Sequence, residues 1–283
     1  AMNPWIHWFI SDRLPRSPRP PSPEIKGLHK MIVIKTKEQI EKMKIAGRIT
    51  GEAILVAAEM IKEGVTTKQI DEKIRHHIEK NGAKPSFLGY GGFPGSACIS
   101  INSEVIHGIP SADRVLHEGD IVKIDVGAFI GGFHGDSANT FPVGRISAEA
   151  QHLIDVTKES FYRGVAAIDI EHGRIGDIGH AIDSYVVENG MTTVKKYVGH
   201  GVGHELHEDP NVPNFGTAGR GPRLCRGMTI AIEPMVNLGG PEVVERPDHW
   251  TVVTRDGSLS AHYEHSCALT PDGVLLLTKV ADI

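Results

Sequence analysis

The chain has 283 residues, 40% hydrophobic and 23% charged, with a formal net charge of −5. This is an ordinary globular balance with length enough for a sizeable core, and with no long basic run it excludes an electrostatic nucleic-acid footprint. Three scattered cysteines, Cys98, Cys225 and Cys267, exclude a disulfide framework or a CxxC zinc site, and with no run of membrane-span length the reading is a cytoplasmic protein without a membrane role.

At the N-terminus, WIHWFI at 5–10 is too short for a signal core, and SDRLPRSPRPPSP at 11–23 is Pro-rich and basic. Such composition suits an extended, solvated arm, so residues 1–30 are expected to be a flexible extension and 31–283 one domain. Met31 reads as an alternative start. Thr36 with Gln39 forms a capping box for a helix whose Ile40, Met43, Ala46, Ile49 and Ala53 keep helical spacing. A second helix begins near Thr66 with Gln69, buries Ile70, Ile74 and Ile78, and stops at Asn81-Gly82. Gly-rich loop and strand segments, LGYGGFPGS and ACISINSEVIHGIP, follow.

Residues 121–141, IVKIDVGAFIGGFHGDSANTF, read as a β-hairpin turning at Gly131-Gly132, because primed two-residue turns need φ > 0 at both positions. That turn sets Gly127 opposite Asp136 and Asp125 opposite Ala138, which makes the two carboxylates diagonal neighbours on one face, at a backbone spacing of about 7 Å. A one-residue slip would part them. On a face otherwise rich in Ile, Val and Phe they would repel and be poorly solvated, so a positive group, a metal ion first, is expected between them. The alternative is a solvent-facing hairpin with two unrelated acids.

Helices return at 147–167 and 175–188. Asn189-Gly190 lies 108 positions after Asn81-Gly82, and GDIVKID at 119–125 aligns with GMTIAIE at 227–233 at the same offset. A duplicated unit, two helices feeding a carboxylate-bearing strand, would place Glu233 where the first half has Asp125. Helices followed by antiparallel hairpins predict an α+β fold. Glu233 sits inside an apolar strand pattern and needs a partner if buried. Glu264, in SLSAHYEHSCAL, is the second acid of this half. GHGVGHELHEDP supplies His200, His204 and His207. Its HELHE resembles the HExxH helix of zinc proteases, but Glu208 holds the position of the second His, and Gly201 and Gly203 oppose a helix. One imidazole with four carboxylates would suit hard or borderline ions such as Mn, Fe or Co better than thiolate zinc. His107, in VIHGIP, could reach the same cleft.

The motifs VIHGIP, KIDVGAFIGGFHGDSANTF, GHGVGHELHEDPNVPN, GMTIAIEPM and WTVVTRDGSLSAHYEH, in this order and spacing, resemble the type I methionine aminopeptidases from about Met31 onward. The resemblance implies the pita-bread α+β fold, with two pseudo-symmetric halves around an antiparallel sheet, in one metallopeptidase domain. It implies Asp125, Asp136, His200, Glu233 and Glu264 as ligands of two divalent ions (Co, Mn, Fe or Zn). Asp136 and Glu264 would bridge them, Asp125 would complete one and His200 with Glu233 the other.

It further implies His107 and His207 as metal-free histidines that contact substrate and stabilise the transition state, whereas His204, His262 and His265 match no such position. Glu233 is expected to handle the proton of the attacking water. The pocket for a methionine side chain maps onto Phe87, Tyr90, Phe93, Cys98, Leu206 and Trp250. Phe87 stands where the family commonly has cysteine, and Leu206 where it has phenylalanine, which bears on pocket size. The expected activity is removal of the initiator methionine from peptides or nascent chains by a monomer, with docking of the N-terminal arm on a partner such as the ribosome as a further idea. A proline-directed peptidase and a pita-bread binding module that has lost catalysis are the rival readings.

Overall fold

The first three helices begin where the sequence supplies a side-chain acceptor for their opening N–H groups. In the computed structural model, which describes residues 31–281, α1 (Lys37–Ala58) and α2 (Thr67–Lys80) each start with a complete Thr/Gln capping box, at Thr36/Gln39 and Thr66/Gln69. Ser147 accepts from the Ala150 N–H at the start of α3 (Ala148–Ala166), and α4 (Ile175–Glu188) ends at Asn189. A cap of this kind stabilises a helix by about 1 kcal/mol. The expected N-terminal arm and any partner docking through it lie outside the described residues.

The strands are β1 (Lys84–Pro85), β2 (Ala97–Ile101), β3 (Glu104–Ile106), β4 (Ile121–Ile130), β5 (Phe133–Pro142), β6 (Thr192–Thr193), β7 (Gly199–Gly201), β8 (Glu208–Val212), β9 (Thr229–Ile232), β10 (Met235–Asn237), β11 (Val243–Glu245), β12 (Val252–Thr254), β13 (Ser260–His262), β14 (Glu264–Thr270) and β15 (Gly273–Leu276). The main antiparallel sheet runs β1-β4-β5-β14-β9-β7-β8, with β2 also on β4 and β15 on β14. Two short sheets, β13-β10-β6 and β11-β12-β3, complete the described strands.

The predicted hairpin forms in the predicted register: Gly127 faces Asp136, Asp125 faces Ala138, and Gly131 and Gly132 turn with φ of 62° and 85°. Two apolar cores divide the molecule along the sequence repeat. One joins α1 and α2 to β2 and β4 through Ile49, Ile70, Ile74, Ile99 and Ile124; the other joins α3 and α4 to β9 and β14 through Leu153, Phe161, Ile178, Ile230 and Leu269. The offset of 108 recurs in the helices, since Thr67 to Ile175 and Lys80 to Glu188 both span it. Burying these faces removes large apolar areas from water, at roughly 25 cal/mol per Å². Where the halves meet, β5 pairs with β14 and brings Glu264 opposite Ala138.

Candidate metal centre and its apolar pocket

The seam between the halves holds a cavity lined by Asp125, Asp136, His200, Glu233 and Glu264, together with His107, His207, Ile106, Tyr197, Val198 and Asn211. All five sequence-predicted ligands and both predicted metal-free histidines therefore share one site. Asp125 and Asp136 come from β4 and β5, His200 from β7, and Glu264 from the start of β14; Glu233 follows β9, its backbone carbonyl accepting from the Asn214 amide at 3.0 Å. Asp136, His200 and Glu264 converge most tightly, each offering a donor atom within 4.8 Å of the others'. His200 Nε2 lies 3.4 Å from Glu233 Oε1 and 3.7 Å from Asp136 Oδ2. Its Nδ1–H can donate to the Gly201 carbonyl at 2.8 Å, which leaves the Nε2 lone pair facing the acids.

The electrostatics are those of a site built around a cation. Burial pushes the Asp125 carboxyl up to about 8, and burial plus the neighbouring carboxylates hold Asp136, Glu233 and Glu264 well above the usual carboxylate range. Burial lowers His200 to about 4 and His107 to about 3, so both imidazoles are neutral near pH 7. Asp125 Oδ1, Asp136 Oδ1 and Glu264 Oε1 are buried with no hydrogen-bond partner. Native proteins rarely leave such atoms unmatched unless an ion or water completes them. The donor set, four carboxylates and a neutral imidazole, fits hard or borderline divalent ions. The nearby thiol of Cys98, opposite Asp125 in the β2–β4 pair, is pushed well up by burial and stays protonated.

His207 lies against His200, ring centroids 4.1 Å apart, and Tyr90 Oη sits 3.0 Å from its Nδ1. Donation from that hydroxyl would keep the imidazole proton on Nε2. His107 follows β3 with φ of 59°, a left-handed conformation uncommon for a residue with a side chain. Its ring meets Tyr197 edge-on at 5.8 Å.

Beside the cavity, Phe87, Phe93, Cys98, Leu206 and Trp250 form one closed apolar cluster, with Tyr90 and Ile109 packed against it. All six predicted pocket residues are present in it. Phe93 meets Trp250 edge to face at 5.1 Å.

Three further histidines of the site's own motifs serve different ends. His204 Nδ1 lies 2.9 Å from the Gly132 carbonyl and its ring lies 4.2 Å from that of Phe133, tying down the hairpin turn. His265 bonds Thr278 Oγ1 at 2.7 Å and Tyr263 Oη at 3.1 Å. His262 is different: its buried Nε2, without a hydrogen-bond partner, lies 3.7 Å from Glu233 Oε2. Sequence reasoning passed over it, although it stands two positions before Glu264, where an extended chain presents the same side. Tyr197, Val198, Asn211 and Ile109 carried no signal beyond neighbourhood to a motif. Glu208, the residue that disqualified HELHE as a zinc helix, is buried in an ion pair with Lys35.

A carboxylate-rich divalent-metal centre beside a buried apolar cluster, at the seam of two repeated α+β halves, defines a metal-dependent hydrolase of the pita-bread fold. The profile of metallopeptidase family M24 matches residues 41–271. Methionine aminopeptidase of Clostridium acetobutylicum is 53% identical over 88% of this chain and 99% of its own length, and methionine aminopeptidase 1 of Bacillus subtilis 48% identical over 88% and 100%. The crystal structure of Thermotoga maritima methionine aminopeptidase superposes with a TM-score of 0.86 at 44% identity, covering 88% of this chain and 100% of that one. The chain belongs to metallopeptidase family M24 and, within it, to the type I methionine aminopeptidases. The prolidase of Pyrococcus furiosus is more distant, with a TM-score of 0.70 and 26% identity over 89% of this chain and 66% of that one.

Proposed function

We infer that this protein is a metal-dependent aminopeptidase that hydrolyses the first peptide bond of polypeptides beginning with methionine. The observation that carries the reading is the junction of the five-residue polar set with the buried apolar cluster of Phe87, Phe93, Cys98, Leu206 and Trp250. An unbranched thioether side chain suits such a lining and would gain sulfur–aromatic contacts with Phe93 and Trp250. Seating it puts the adjacent carbonyl beside the carboxylates, since Cys98 of the pocket faces Asp125 across two strands.

Asp125, Asp136, His200, Glu233 and Glu264 would hold two divalent ions, of Mn, Fe, Co or Zn type. When bound, such ions supply Lewis acidity and acidify water toward neutral pH. The chain's own groups do the rest. The Glu233 carboxylate accepts the proton of the attacking water and passes it toward the leaving amine. Neutral His107 and His207 donate to the substrate carbonyl oxygen as negative charge grows on it, and the walls of the cavity exclude bulk water, which strengthens those bonds. Residues 31–283 act as one metallopeptidase domain, monomeric and cytoplasmic, on peptides and nascent chains alike. The test is peptide choice: release of free methionine from Met-Ala-Ser is expected with Ala-Pro-Ala left intact, and cleavage of Ala-Pro-Ala alone would move the protein to the proline-directed branch.

A further inference from the structure

The catalytic cavity is too small for a polypeptide, at about 40 Å³, yet the chain beyond the scissile bond must leave it. The side toward Trp250 and Leu206 is closed by the buried pocket. Of the described residues lining the cavity, Asn211 alone is exposed. Asn211 also lines a second, open groove of about 550 Å³, so the two spaces meet at this side chain. Asn211 lies on β8, the terminal strand of the main sheet, with no further described strand on its outer edge.

The groove is built as a fixed trough. Its far wall, residues 213–222, lies directly on α4: a Cβ on Gly179 would sit 2.5 Å from the Pro213 carbonyl oxygen and 2.4 Å from that of Phe215. Gly176 N–H donates to the Arg220 carbonyl at 2.9 Å and Ile175 N–H to that of Pro222 at 3.0 Å. Apolar Ile175, Pro210 and Phe215 line it alongside the charged side chains of Asp209 and Arg220. An extended peptide running beside a terminal strand, with alternate side chains over an apolar floor, is a recurring recognition mode.

We propose that the substrate's fourth and later residues leave over Asn211 and lie along the outer edge of β8 in this groove. It is an extended-peptide subsite that rewards substrate length, and it rests on the aminopeptidase reading above. The experiment compares kcat/KM for Met-Ala-Ser and for Met-Ala-Ser-Leu-Leu-Glu, using metal-loaded wild-type protein and the variants Thr217→Trp and Phe215→Ala. Thr217 is exposed, so its replacement blocks the groove without opening the core. The longer peptide is expected to exceed the tripeptide by about tenfold in kcat/KM, the equivalent of about 1.4 kcal/mol. Both variants are expected to lose that gain while turning over the tripeptide as wild type does. Equal values for the two peptides in wild type, or a gain that survives both variants, overturn the subsite and leave the aminopeptidase reading standing. Failure to cleave Met-Ala-Ser at all overturns both.

Discussion

His207 shows how one buried side chain is prepared for chemistry. Burial and the nearby imidazoles of His200 and His107 hold its pKa well below the ordinary value, and Tyr90 Oη lies at Nδ1, so in the proposed reaction it would meet substrate as a neutral donor. Replacing it with alanine is expected to lower kcat by about 10²–10³-fold, the scale of a lost oxyanion donor, while calorimetry still finds Mn²⁺ binding. Unchanged turnover would remove that role. His262 sits one step further back, since it does not line the cavity but lies near Glu233 Oε2, while His200 lies near Oε1. His262→Ala is expected to lower kcat about tenfold, as loss of a positioning contact does, with His262→Gln restoring most of it because an amide can also donate. If alanine and glutamine variants turn over alike, the imidazole does not position Glu233. Asp125, Asp136 and Glu233 stood out in sequence as acids inside apolar strand patterns, whereas His200 and Glu264 joined them as a ligand set only through the family resemblance. His262 was not legible, because its importance comes from a contact between β13 and the residue following β9, made only in the folded chain.

At the scale of elements, the hairpin β4–β5 is what turns a pattern into a site. Its register was readable because Gly131-Gly132 permits one turn class, and the face of Asp125 and Asp136 follows from the register. The capping boxes at Thr36 and Thr66, and α3 and α4 over 148–166 and 175–188, were equally local and equally readable. What local signals could not supply is the pairing of β5 with β14, which joins residues more than a hundred positions apart, or the terminal position of β8. Close packing against α1 holds the hairpin: a Cβ on Gly135 would fall 2.9 Å from backbone atoms of Ala46 and Gly47. Gly135→Ala is therefore expected to destabilise the fold by about 1–3 kcal/mol, the cost of overpacking a contact with no flexible side chain to yield. Urea denaturation checks it, and an unchanged midpoint would mean that α1 can shift freely.

For the whole molecule, the decisive balance is between four buried carboxylates and whatever neutralises them. Three of their oxygens are buried without a partner. A ligand bound only by the folded state adds RT ln(1 + [L]/Kd), about 2.7 kcal/mol at a hundredfold excess over Kd, and in a chain of this size each kcal/mol moves Tm by about 2–4 °C. Stripping divalent ions with a chelator is thus expected to lower Tm by about 5–10 °C, and Mn²⁺ or Co²⁺ to restore it. A Tm indifferent to chelator and metal alike would mean that the acids are compensated from within the protein. The duplicated architecture was visible in sequence only as two coincidences at one offset. In three dimensions each half has its own core, and the site occupies the seam between them because each half contributes acids to the same cavity.

The central claim is that these converged acids and His200 make peptide hydrolysis depend on a divalent metal. Its most direct test is the rate of methionine release from Met-Ala-Ser by chelator-stripped protein as Mn²⁺ is titrated back, with Asp136→Asn run beside wild type. No release from the stripped protein, recovery with added Mn²⁺ in wild type and none in the variant is the predicted result. Full activity in the stripped protein, or an identical Mn²⁺ response in Asp136→Asn, would contradict the account.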